Sequence, residues 1–325
     1  MRKRQIVLFF GLSLFAFKSD AQIENHTIEF DGLKCTYQTS QGRIQGNYIS
    51  YYKNGNKRAE GVFENNYRKG KWTVWDSTGR IRMQRDYENP FVFKRIIPEF
   101  PKDSLVALLN VPRYNLVYNN DGYINYFNVK ERMVMWVKRV WRNIEKPNNK
   151  ILFDNNKLFN ILYKNIINKN IEGIYHDEEF TKSFTTEEIS KIDTQKVQII
   201  SYKTKEDYFF DNERFVIESR LIGICPISIN KTNGDTLELF WLYFPYIRKS
   251  LAQEKLSDKS CPFKTKTFDD LFFFRGFYGE IFQEENAWNR PISTYKKGNE
   301  IKKEAEKIEI GIIEKEHDLW IGLTK

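Results

Sequence analysis

Residues 136–145 read WVKRVWRNIE, with Trp136 and Trp141 set around Lys138, Arg139 and Arg142. In a chain of net charge +9, that grouping offers two chemistries. Aromatic rings stack on bases while cations meet phosphates, which is a grip on nucleic acid. Tryptophan and arginine also dominate protein–protein hot spots, so the same residues suit a docking segment. Glu206, Asp207, Asp211 and Glu213 in KEDYFFDNERF are the next candidates, since paired carboxylates can share general acid and base work. No partner across the fold is identifiable for them. A strand end, a turn at Asp211-Asn212 and a second strand is the stronger reading. HDEE at 176–179 could hold a hard cation, but it reads better as a solvated turn before a capped helix. His26, His176 and His317 share no helix-turn spacing, whereas a zinc site needs converging ligands. Cys225 has no base nearby and precedes Pro226. Gly70-Lys71 is followed by Trp72 where a phosphate loop needs Ser or Thr. No catalytic residue, metal or cofactor is expected, and the chain does not read as an enzyme.

The first residues decide between the two chemistries. MRKRQIVLFFGLSLFAFKSDAQ has a basic start, an apolar run from Ile6 to Phe17 and a small residue at Ala21 before Gln22. That is the pattern of a secretory signal peptide, residues 1–21, cleaved between Ala21 and Gln22. The apolar run is shorter than the roughly 20 residues that span a bilayer. Removing residues 1–21 takes away Arg2, Lys3, Arg4 and Lys18 against Asp20, a net +3, and leaves +6 on 304 residues. Exported protein does not meet chromosomal DNA, so the nucleic-acid reading loses its force. Cys35, Cys225 and Cys261 are too few for a disulfide framework. One pair could bridge, or all three could be buried thiols.

Elements must position these residues. Gly46, Tyr48, Tyr51 and Gly55 recur as Gly70, Trp72, Trp75 and Gly79, each 24 positions on. A fixed offset marks an internal repeat, and aromatics closed by Asn54-Gly55 and Thr78-Gly79 read as β-hairpins. The pattern resembles MORN-type repeats and defines a small all-β unit at 27–88. Pro90, Pro98, Pro101 and Pro112 punctuate 89–126, a linker that lies against a neighbouring domain. A helix is expected from Asp154, with Leu158, Ile161, Leu162 and Ile166 in its stripe. Thr185 and Glu188 form a capping box. Residues 214–244 should be a hairpin turning at Asn233-Gly234, with Leu237, Leu239, Trp241 and Tyr243 on one face. Thr267 and Asp270 should cap a helix carrying Leu271, Phe272, Arg275, Tyr278 and Phe282. Residues 299–325 read as a charged helix and tail, its narrow stripe of Ile301, Ala305, Ile308 and Ile312 suited to a surface helix. The fold class is α+β: a mixed helix and antiparallel hairpin core domain after the repeat domain.

The blocks MWVKRVWRNIE, LFNILYKNIINKNIEGIYHDEEFT, YKTKEDYFFDNERFVIESRLIGICPI, LELFWLYFPYIRKSLA, TFDDLFFFRGFYGEIFQEEN and NRPISTY occur in that order. Together they resemble the gliding-motility and type IX secretion family GldN (PorN) of Bacteroidota, over about residues 127–298. The resemblance implies a non-catalytic periplasmic component at the inner face of the outer membrane. It implies assembly with a GldK (PorK)-like lipoprotein in a high-order ring, contact with a GldM (PorM)-like periplasmic region, and no nucleic acid. The residues matching the family's blocks are Trp136, Trp141, Arg142, Glu206, Asp211, Arg220, Trp241, Pro245, Asp270, Arg275, Asn286 and Arg290, as structural or partner contacts. NIEKPNNK departs from the family's usual continuation, and the repeats lie outside its usual pattern. The alternative is an envelope-binding module whose repeats hold a glycan or lipid surface.

Overall fold

The computed structural model describes residues 22–89, 92–98, 116–194, 197–229, 234–256 and 265–324. The leader, Ala21, the LVALLNV stretch and Cys261 lie outside the described residues.

Seven strands come first: β1 (Ile23–Phe30), β2 (Leu33–Ser40), β3 (Arg43–Tyr52), β4 (Lys57–Glu64), β5 (Tyr67–Trp75), β6 (Ile81–Asn89) and β7 (Val92–Ile97). They pair in sequence order as one antiparallel sheet. The 24-residue offset is its geometry: β2, β4 and β6 begin at Leu33, Lys57 and Ile81, and β3 and β5 at Arg43 and Tyr67. Gly46 opposes Phe63 and Tyr48 opposes Gly61, just as Gly70 opposes Tyr87 and Trp72 opposes Arg85. A bulge falls between Ser50 and Tyr51 and again between Val74 and Trp75. The sequence reading found two copies of the repeat; the strand spacing extends it to β2–β3, β4–β5 and β6–β7. Asp31-Gly32 and Asn65-Asn66 close hairpins with both residues at positive φ, the turn whose twist matches the flanking strands. Gly61 is required by packing, because a Cβ there would lie 2.2 Å from the Trp72 ring. Within the segment read as a linker, Val92–Ile97 extends this sheet as β7.

The second sheet is built from β8 (Val134–Glu145), β9 (Ile174–Tyr175), β10 (Gln198–Asp211), β11 (Val216–Ile229), β12 (Thr236–Glu238), β13 (Trp241–Tyr243) and β14 (Glu280–Glu284). Its order is β14-β8-β10-β11-β13-β9, antiparallel throughout, with β12 on β11. The helices are α1 (Lys150–Phe153), α2 (Lys157–Ile167), α3 (Thr186–Ser190), α4 (Phe244–Ala252), α5 (Phe268–Phe273) and α6 (Asn299–Leu323). Ile144, Tyr202, Leu221 and Ile224 of the sheet pack on Leu158 and Leu162 of α2, Phe244 and Ile247 of α4, and Phe268 and Leu271 of α5. The α+β class expected from the sequence is what the chain adopts.

Several elements follow the sequence signals and others depart from them. Thr185 with Glu188, and Thr267 with Asp270, each make both hydrogen bonds of a capping box. Leu158, Ile161, Leu162 and Ile166 are buried in α2, but the helix starts at Lys157, because Asn155 and Asn156 turn left-handed and break it from Asp154. The helix expected to run on to Phe282 stops at Phe273: Arg275 sits at φ 47°, and 280–284 is β14. β11 folds back onto β12, with Ile227 opposite Glu238, and Gly234 at φ 77° near the bend. Asn233 lies outside the described residues. Trp241 is buried as expected, whereas Leu237 is 59% exposed and the strand breaks before Trp241.

The largest departure is α6. Its 25 residues are no surface helix. Ala305, Ile308 and Ile312 pack against Val140, Tyr208 and Ile281 of the second sheet. Ile310 packs with Tyr48, Phe63 and Trp72 of the first. Trp320 joins Ala59, Val74 and Met83 of one sheet to Phe210 of the other. The stripe looks thin because polar residues are buried too, Glu316 at its edge and Glu314 and His317 on the opposite side.

Candidate functional site

Strands β8 and β10 set Arg142 opposite Thr204 and Trp141 opposite Lys205, which brings the matched residues together. Glu206, fully buried, accepts from Arg142 Nε at 3.1 Å and Arg275 Nη2 at 2.8 Å. It also accepts from Thr204 Oγ1 at 2.8 Å and the Tyr208 hydroxyl at 3.3 Å. Arg142 donates further to Tyr208 at 2.8 Å, to the Gly279 carbonyl at 2.9 Å and to Glu309 of α6 at 2.6 Å. Burial acts to raise the Glu206 pKa, but Arg275 and Arg142 overcome it and hold it below the ordinary carboxylate value. Both carboxylate oxygens are engaged, so Glu206 is placed to tie β8, β10 and the 275–279 turn together, not to take a proton.

The other cations of WVKRVWRNIE are also engaged internally. Lys138 pairs with Glu284. Arg139 donates to both carboxylate oxygens of Asp207, at 2.6 and 2.8 Å. Trp141 is buried with Cys225, Ile227 and Trp241, and Lys205 Nζ lies 5.5 Å from the Trp141 ring centre. Trp136 is half-buried between the clusters that meet α6. Trp241 donates to Glu238 at 3.0 Å. Asp211 accepts from Arg214 at 2.5 Å, and Arg220 donates to the Phe127 carbonyl at 2.6 Å. Pro245 lies in the first turn of α4, where its missing N–H costs no hydrogen bond. Asp270 also accepts from Tyr118 at 3.0 Å. Asn286 clamps a loop: its side chain donates to the carbonyls of Glu284 and Arg290 and accepts from the amides of Trp288 and Arg290. Arg290 stacks over Tyr295, and Trp288 stands 77% exposed.

A second buried cluster, which sequence reasoning missed, joins the repeats to α6. Tyr48 donates to Glu314 at 2.6 Å. Arg58 reaches Glu314 at 2.5 Å and Asp318 at 2.7 Å, and Arg68 reaches Glu316 at 2.5 Å. His317 Nδ1 lies 3.2 Å from Glu314. Glu316 also accepts the Ile217 amide at 2.6 Å, and Trp320 donates to the Phe215 carbonyl at 2.8 Å. Burial acts to raise Glu314, yet His317, Arg58 and Tyr48 hold it well below its ordinary value. Burial drives His317 down, against the pull of Glu314. The available signal was the spacing of Ile310, Glu314, His317 and Trp320 on one helical face, which charge masked as a solvated side.

Between the sheets lies a cavity of about 360 Å³, lined among others by Arg68, Arg142, Tyr208, Arg275, Glu309 and Glu316, which touch both clusters. The repeat residues Tyr48 and Trp72 lie beneath α6, while Tyr51 and Trp75 are half-buried. Gly55, Gly70 and Gly79 have positive φ. Cys35 and Cys225 are buried free thiols, and burial pushes Cys35 up to about 12. Among the described residues no cluster of His, Cys, Asp and Glu could hold a metal ion, and no helix is long and apolar enough to cross a membrane.

The family model described as gliding motility associated protein GldN matches residues 129–321. The match covers the second sheet and nearly all of α6, and leaves the repeat sheet outside. No curated protein matches the chain.

Proposed function

The chain belongs to the GldN family, whose members are components of gliding motility and type IX secretion, and from that premise we propose that it is a non-catalytic scaffold in the periplasm. On this reading it assembles with a GldK (PorK)-like lipoprotein in a high-order ring at the inner face of the outer membrane. It also contacts a GldM (PorM)-like periplasmic region. The family match over residues 129–321 carries the reading. The internal engagement of Arg142, Glu206 and Arg275 supports it, since these groups hold the fold together.

Trp141 and Arg142 are interior, so altering them perturbs folding before docking. Among the matched segments that expose large side chains, the clamped loop of Asn286, Trp288 and Arg290 carries the most exposed one, Trp288. A rigid, exposed tryptophan beside an arginine is the composition of a binding hot spot. The envelope-binding alternative rested on repeat aromatics, but Tyr48 and Trp72 are buried against α6 and are unavailable to a glycan or lipid.

Co-purification from envelope extracts, followed by sizing, tests the proposal. The protein should elute in a large complex with the lipoprotein. Trp288→Ala should weaken that association while changing stability by less than about 0.5 kcal/mol, as befits an exposed site. A free monomer from cells that contain the partner contradicts the assembly. A complex unchanged by Trp288→Ala removes the loop as its contact.

A further inference from the structure

A cavity of about 270 Å³ opens at the far end of α6, lined by Met83, Arg85, Arg95, Pro98, Phe215, Trp320, Leu323 and Thr324. Arg85 is 1% exposed. Its guanidinium lies 4.4 Å from the Phe93 ring centre and 4.7 Å from that of Trp320, so aromatic rings cover it. Its edge is poorly satisfied. Nε has no hydrogen-bond partner, and Nη1 has one long contact, 3.4 Å to the Tyr87 hydroxyl. Every other deeply buried arginine among the described residues meets a carboxylate: Arg58 meets Glu314, Arg142 meets Glu206, and Arg248 of α4 meets Asp269 of α5 at 2.8 Å. Among the described residues, none reaches Arg85. A buried charge without compensation is strongly disfavoured. The guanidinium of Arg95 also lines the cavity, and burial and the charge of Arg85 push it down to about 10.

We propose that this cavity is a binding site for a small organic acid, with the carboxylate on the unsatisfied edge of Arg85 and an apolar body against Met83, Phe215, Trp320 and Leu323. The fork of N–H donors on a guanidinium matches the two oxygens of a carboxylate. The volume sets the size, because a bare anion fills little of a space several times the roughly 30 Å³ share of one water. The walls set the rest, since Met83, Phe215, Trp320 and Leu323 offer apolar surface to a stem or ring. The site is independent of the ring assembly proposed above.

Calorimetric titration of the full chain with benzoate, a planar carboxylate on an apolar ring, tests the assignment, with benzyl alcohol as the neutral control. Benzoate should bind saturably, and benzyl alcohol should not. Arg85→Met should weaken benzoate binding at least about tenfold, the scale of one charge-assisted hydrogen bond. Arg85→Lys, which keeps the charge and loses the fork, should also weaken it. Absence of saturable benzoate binding, equal binding of the alcohol, or undiminished binding by folded Arg85→Met overturns the proposal. The contrast between benzoate and benzyl alcohol uses the unaltered protein, so it decides even where Arg85→Met fails to fold.

Discussion

Two buried ion clusters hold this molecule together, and they differ in what they join. The first, Arg142–Glu206–Arg275, lies wholly within the segment that the family model matches and ties neighbouring strands to a turn. The second, Arg58–Glu314–His317 with Arg68–Glu316, crosses from the repeat sheet, outside that segment, to α6 within it. The same physics applies to both: a buried carboxylate is tolerable because cations and hydroxyls occupy its lone pairs. The contrast teaches that the repeat sheet is no appendage. It supplies counter-ions and an apolar floor for a helix whose other side serves the family domain.

The comparison can be broken most forcefully by removing one side. Without residues 22–97, Ile310, Glu314, Glu316, His317 and Trp320 lose their cover. The remaining chain should lack a cooperative unfolding transition by circular dichroism. A stable, cooperative remainder would make the repeats dispensable. Single substitutions come next. Glu206→Ala takes the carboxylate from Arg275, while Arg142 keeps Glu309, and should cost about 3–5 kcal/mol in urea unfolding, the usual penalty for breaking a buried pair. Glu314→Ala should fall at the low end of that range, because Arg58 keeps Asp318 at 2.7 Å. A negligible loss for Glu314→Ala would mean that the two clusters are not alike.

The smallest effect sharpens the contrast, because the second cluster contains a histidine and the first does not. The folded-state pKa of His317 lies below its ordinary value of about 6.5. Between those values the unfolded chain binds the proton more readily, so stability is full above about pH 6.5 and is lost as pH falls. The slope should reach at most about 1.4 kcal/mol per pH unit. Glu314 and Glu206, both lowered, lose their contributions only below the carboxylate range. Urea midpoints between pH 7 and 5 should decline in the unaltered protein. His317→Asn should flatten that decline, and an unchanged slope would exclude His317 as its source.

Much of this architecture was legible in the sequence where the signal was local. The 24-residue offset marked the hairpins, two capping boxes marked α3 and α5, and the blocks around Arg142, Glu206 and Arg275 marked the family. Long-range partnership was not legible. Glu314 and His317 look like a solvated helix face, since helical periodicity reports one buried stripe and α6 is covered on two sides. The run after Thr267 misled for a related reason. A string of aromatics fits a helix, a loop or a strand, and the left-handed turn at Arg275 decided among them.

Native-state hydrogen exchange tests the central claim, that repeat sheet, α6 and family domain form one structural body. Amides of β3 and β5 should open with the same free energy as those of β8 and β10, at the value for global unfolding, as expected of a single cooperative unit. Exchange of β3 and β5 at a clearly lower free energy, while β8 and β10 stay protected, would contradict it.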